Sequence, residues 1–159
     1  MHDARLTWAD ADATHASGAL LAPHLAPGML ITLSGELGSG KTSFVRGVLR
    51  GLGWSGPVKS PTYTLVEHYI LSSLYFYHFD FYRLTDAREW ETGGFADDFG
   101  AGAVCAVEWP ERVREHLPPA DLALHLTYSA DGTQRDVHVV AGSPVGERAL
   151  TAWLASAPP

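Results

Sequence analysis

The 159-residue chain has one cysteine, Cys105, and two lysines, Lys41 and Lys59. A single cysteine excludes an internal disulfide framework and points to a reducing compartment, so a cytoplasmic location is expected. There is no apolar run of about 20 residues, the length a helix needs to cross a bilayer, so no membrane span is expected. The first residues, Met-His-Asp-Ala-Arg, lack the pattern of a secretory signal. Internal repeats and low-complexity linkers are also missing. The whole chain, 1–159, is expected to form a single domain with a sizeable core. The Ala-Ser-Ala-Pro-Pro tail, 155–159, is the one candidate for disorder.

Positive charge is scarce. Eleven Lys and Arg stand against eighteen Asp and Glu, for a net charge of −7. Proteins that grip a phosphate backbone present a basic face. Direct nucleic-acid binding is therefore not expected to be the main work of this chain. The scarcity also makes the position of Lys41 informative.

Hydrophobic residues make up 46% of the chain and suit a globular fold. Residues 10–22 read as an Ala-rich helix stopped by Pro23. "MLITLSG" (29–35) is a short apolar, β-branched run and reads as a buried strand. "KTSFVRGVLRGLG" follows, with Phe44, Val45, Val48, Leu49 and Leu52 at helical spacing and Gly53 as a stop. "YTLVEHYI" and "LYFYHFDF" are strand-like and joined as a hairpin. The acidic stretch 86–99 starts as a short helix. "AVCAVEW" (103–109) is another buried strand, and "PERVREHL" after it begins a helix with Pro110 at its start. "ADLALHLTY" and "QRDVHVVA" flank Asp131-Gly132, a turn signal. "SPVGERALTAWLA" closes as an amphipathic helix. Mixed strands and helices favour an α/β fold with parallel and antiparallel pairs in one sheet.

The strongest local signal is "GELGSGKT", Gly35 to Thr42. It fits G-x-x-x-x-G-K-[ST], between a strand and a helix as that motif requires. Gly35, Gly38 and Gly40 let backbone N–H groups converge on phosphate oxygens, and the helix N-terminus adds a favourable dipole. Lys41 neutralises phosphate charge and Thr42 offers a hydroxyl to Mg²⁺. The candidate nucleotide-binding stretch is Gly35, Glu36, Leu37, Gly38, Ser39, Gly40, Lys41, Thr42 and Ser43. Glu36 is expected to be a solvated loop residue rather than a catalyst.

Such a loop needs an acid at the end of a neighbouring strand to help place the metal. Asp80, near the end of "LYFYHFDF", and Glu108, after "AVCAV", are both candidates. One is expected to touch Mg²⁺ directly and the other to act through water. The plain alternatives are that Asp80 pairs with Arg83 or caps the following turn, and that Glu108 pairs with Arg112. His78 is expected to be a packed or hydrogen-bonded residue rather than a base. The eight histidines show no H-E-x-x-H spacing. An N-K-x-D guanine motif and a transporter signature are both missing.

Four blocks in order, "GELGSGKTSFVRG", "VKSPTYTLVEHY", "HFDFYRL" and "VEWPER", resemble the TsaE (YjeE) family. These are the P-loop ATPases of bacterial tRNA threonylcarbamoyladenosine biosynthesis. The resemblance runs over residues 29–114 and implies a P-loop NTPase-like, three-layer α/β fold with a mixed central sheet. It implies ATP and Mg²⁺ as cofactors, with Lys41, Thr62, Asp80 and Glu108 as the catalytic set. Thr42, Glu108 and Asp80 would serve the metal. Ser60-Pro61-Thr62 would act as a switch-like segment near the γ-phosphate, with Thr62 its contact. Trp109 would lie near the nucleotide, Thr7 and Trp8 would approach the adenine, and residues near Gly132–Arg135 would approach from the other side. The implied partners are the TsaD and TsaB subunits, with tRNA reached mainly through them. Turnover would be slow in isolation, because switch loops often order on a partner. Two alternatives remain: a small-molecule kinase that uses "YFYHFDFY" as an acceptor pocket, and a nucleotide-dependent binding module with little turnover.

Overall fold

The computed structural model describes residues 2–99 and 102–156. The expectation of a disordered tail falls mostly on 157–159, outside the described residues. Among the described residues one sheet has seven strands in the order β1-β7-β6-β2-β5-β4-β3. These are β1 (His2–Trp8), β2 (Leu30–Gly35), β3 (Val66–Ile70), β4 (Tyr75–Asp80), β5 (Ala103–Glu108), β6 (Leu122–Tyr128) and β7 (Arg135–Ala141). The central pairs β6–β2, β2–β5 and β5–β4 are parallel, and the flanking pairs are antiparallel. The expected mixed α/β sheet is what forms.

Helices α1 (Ala11–Leu21), α2 (Lys41–Gly51) and α4 (Pro144–Ser156) lie against one face. Alternation along the strands explains why. Ile31, Leu33, Leu122, Leu124, Val137 and Val139 point to that side and join Phe44, Val48, Leu49 and Trp153 in one core. The opposite face carries a second core. There Phe79, Phe81, Cys105 and Val107 pack under Trp90 of α3 (Ala87–Gly93), Phe95 and Val113. Burial in this core pushes the Cys105 thiol up to about 12. Phe79 and Phe81 stack with ring centroids 5.7 Å apart.

α1 starts at Asp10, whose carboxylate accepts the Ala13 N–H at 2.8 Å. It crosses α2 very closely. A Cβ at Gly47 would fall 2.0 Å from the His15 carbonyl oxygen, and one at Gly18 would fall 2.4 Å from the Phe44 carbonyl. Only glycine permits this crossing.

Two expectations are corrected. The N-terminal segment forms β1, a strand that the reading of the sequence did not anticipate. Ala4 and Leu6 are half-buried and Trp8 is buried, while Asp3, Arg5 and Thr7 face out. The "PERVREHL" segment is not an α-helix. It forms two 3₁₀ turns, Pro110–Arg112 and Arg114–His116. Trp109 before it takes a left-handed backbone, φ 58°, so the chain turns sharply instead of winding on.

Candidate nucleotide site

β2 delivers Gly35 to the carboxyl end of the parallel strands, where α2 begins. Gly35 has φ 146°, and a Cβ there would fall 2.4 Å from the Leu126 carbonyl oxygen. Gly40, at φ 106°, is the residue before α2, and Lys41 is the first residue inside it. The loop between them wraps the helix N-terminus, a geometry suited to anions.

Lys41 is 4% exposed. Its Nζ donates to the carbonyl of Gly35, lies 3.5 Å from that of Glu36 and sits 3.8 Å from the centre of the Trp109 ring. Burial lowers its pKa from the ordinary value, opposed by the charges of Glu108, Glu111 and Asp80. A lysine folded onto its own loop has its charge balanced by carbonyl dipoles and a π face. Phosphate oxygens would serve it better.

The two acids come together through strand register. β4 and β5 run parallel, and Asp80 pairs directly with Glu108. The Thr42 hydroxyl lies 3.1 and 3.3 Å from the two carboxylate oxygens of Glu108. His78 Nε2 lies 2.6 Å from Glu108 Oε2, and both side chains are buried. Glu108 therefore does not pair with Arg112. Asp80 accepts the Tyr82 N–H at 2.9 Å, which caps the following turn. Burial raises the Asp80 pKa above the ordinary value, with the Tyr82 N–H opposing and the charge of Glu108 adding to the rise. Arg83 does not hold Asp80; its guanidinium lies over the Tyr63 ring, 4.6 Å from the centroid.

These groups surround a cavity of about 360 Å³. Leu37, Gly38, Gly40, Lys41, Thr42 and Ser43 line it from the loop and α2. Thr62, Asp80, Glu108, Trp109 and Arg135 line it from other elements. Gly35 and Glu36 contribute carbonyls to Lys41 from behind, and Ser39 is buried. Thr7 lies elsewhere. It pairs with Asp136 across β1–β7, its hydroxyl 3.5 Å from that carboxylate, and it does not line this cavity. Trp8 is buried against Phe44, with ring centroids 5.2 Å apart. Ser60, named with Thr62 in the switch-like segment, also lines the cavity, as do Tyr82 and Arg83, which the sequence did not single out as ligands. Their signal was adjacency to Asp80.

The site fits a magnesium-bound polyphosphate. Thr42, Asp80 and Glu108 offer only hard oxygen donors, the chemistry Mg²⁺ prefers. Among the described residues no group of three or more His, Cys, Asp or Glu is placed to hold a metal ion. The buried Nε of Arg135 and Oγ of Ser39 have no protein partner, so donors remain for phosphate oxygens.

A model of the TsaE family, "Threonylcarbamoyl adenosine biosynthesis protein TsaE", matches residues 8–137. The chain belongs to the TsaE family. A Haemophilus influenzae protein named tRNA threonylcarbamoyladenosine biosynthesis protein TsaE is 40% identical over 134 residues, covering 84% of each chain. A Bacillus subtilis TsaE is 36% identical over 130 residues, covering 82% of this chain and 81% of its own. The crystal structure of Bacillus subtilis YdiB superposes with a TM-score of 0.81 at 28% identity. That overlap covers 97% of this chain and 95% of YdiB. The TsaE match thus spans the loop, both acids and Arg135. None of the described helices is long and apolar enough to cross a membrane.

Proposed function

We propose that this chain binds Mg-ATP in the cavity at the N-terminus of α2 and hydrolyses it in support of tRNA threonylcarbamoyladenosine biosynthesis. The observation that carries the reading is the contact between Glu108 and Thr42, the residue next to Lys41 in the first turn of α2. It couples the phosphate loop to a strand-end acid. In this reading Lys41 and the loop N–H groups bind the phosphates, and Arg135 adds a second cation. Thr42, Glu108 and Asp80 would hold Mg²⁺, which would neutralise charge on the phosphate oxygens. Glu108 is the stronger candidate for direct contact, because His78 and Thr42 already orient it. Asp80, one strand over, would act through a water. Thr62 closes over the phosphates, and Trp109 shields Lys41 from solvent.

The TsaD and TsaB subunits are the proposed partners, in the cytoplasm, and tRNA is reached through them. Slow turnover alone and faster turnover with the partners are expected. The test is phosphate release from Mg-ATP with and without TsaD–TsaB, for wild type and Glu108→Gln. Equal rates with and without the partners would count against the coupling, and no Mg-ATP binding at all would remove the ATPase reading. For the kinase alternative, Phe76 packs in one core and Phe79 and Phe81 in the other, while Tyr82 at the end of the run lines the cavity; label from ATP appearing only as free phosphate would exclude it.

A further inference from the structure

The β6–β7 hairpin closes over the phosphate loop from outside. Its tip is tied by Asp131, which accepts from the Ser129 hydroxyl at 2.6 Å and from the Thr133 N–H at 3.1 Å. At its base Tyr128 pairs with Arg135 across the two strands. The Tyr128 hydroxyl donates to the carbonyl of Gly38. Its ring lies 5.5 Å from the Arg135 guanidinium carbon. One side chain thus contacts both the loop and the cation that lines the same cavity.

Gly38 needs such a contact. Its φ is +79°, and a Cβ added there would meet only the Tyr128 hydroxyl, 3.4 Å away. Glycine backbone loses much entropy on ordering. The N–H of this same peptide, that of Ser39, donates to the Glu36 carbonyl at 3.0 Å, and the Tyr128 hydroxyl holds its carbonyl side. A loop that is ordered before an anion arrives binds it more tightly than one that must be ordered on binding.

We propose that Tyr128 is a positioning residue for the phosphate loop: its hydroxyl fixes the Gly38 peptide while its ring seats Arg135. This rests on the reading of the cavity as a nucleotide site, but the loop-ordering part can be measured without nucleotide. Tyr128→Phe removes the hydroxyl and keeps the ring. Tyr128→Leu removes both. Amide exchange in the free protein should rise several-fold at residues 38–40 in Tyr128→Phe, with β2 and the body of α2 unchanged. Calorimetry with Mg-ADP should show Tyr128→Phe weaker by about five-fold, the effect of one neutral hydrogen bond. Tyr128→Leu should be weaker still, because Arg135 loses its seat. Tyr75→Phe, at the far end of the sheet, should match wild type. Unchanged exchange at residues 38–40 in Tyr128→Phe overturns the proposal, even if the melting temperature falls. If wild type binds no Mg-ADP, the nucleotide reading fails, and the exchange measurement still decides whether Tyr128 orders the loop.

Discussion

His78 Nε2 and Glu108 Oε2 lie 2.6 Å apart on adjacent parallel strands, with His78 fully buried. This bond fixes the carboxylate that also accepts from Thr42. His78→Phe leaves a buried carboxylate short of one partner. We expect a loss of roughly 1–3 kcal/mol in urea unfolding, the usual penalty for an unsatisfied buried group. Mg²⁺-dependent nucleotide affinity should fall with it, and His78→Gln should restore part of both. Wild-type stability in His78→Phe would show that the bond does no structural work.

Asp80 gives a pH signature. Its pKa in the fold is raised above the ordinary 3.8, first by burial. The folded state therefore holds this proton more tightly than the unfolded state does. The resulting stability is full below the ordinary value and is lost as pH rises through the raised one. Asp80→Asn should lack that loss. In urea unfolding of the nucleotide-free protein from pH 3 to 7, the variant should gain on wild type as pH rises. Its Mg²⁺-dependent affinity should be lower throughout. Parallel stability curves would contradict the assignment of burial as the dominant cause.

The α1–α2 crossing has no room for a methyl group. Gly47→Ala places a Cβ 2.0 Å from backbone, which cannot swing aside as a side chain can. Destabilisation of roughly 1–3 kcal/mol is expected. For a chain of this size that lowers the melting temperature by several degrees, about 2–4 °C per kcal/mol. Calorimetric melting checks it, and no shift would mean the helices separate at no cost.

Asp131 titrates low, at about 2, because the Ser129 hydroxyl and the Thr133 N–H and hydroxyl all donate to its carboxylate. Its contribution to the hairpin is present above the ordinary value of 3.8 and is lost as pH falls towards 2. Carboxyl NMR should place its midpoint well below the ordinary value of 3.8. In Asp131→Ala the amide of Gln134, which donates to the Ser129 hydroxyl, should exchange faster.

Particular residues show what the sequence made legible. Gly35 to Thr42 could be read because the loop needs its glycines and lysine at fixed spacing. Asp80 and Glu108 could be found because each ends an apolar run. Their side-by-side placement could not, since it depends on the β4–β5 register, which local sequence does not encode. The same holds for the His78 bond to Glu108. β1 carried a period-two alternation of Ala4, Leu6 and Trp8, but its partner β7 lies more than a hundred residues away. The turn after Glu108 was misread because Pro110 suits the start of an α-helix and of a 3₁₀ turn alike. What decides between them is the left-handed backbone of Trp109, a tertiary constraint.

Cys105 turns the second core into its own reporter. The chain has no other thiol, and this one is 2% exposed and held protonated far above neutral pH. A thiolate-seeking probe should leave the closed protein untouched. Labelling can then proceed only as fast as the cover of α3 and Phe95 lifts from β5. Its rate, read by mass with and without a docked partner, would clock that breathing motion from the unmodified sequence.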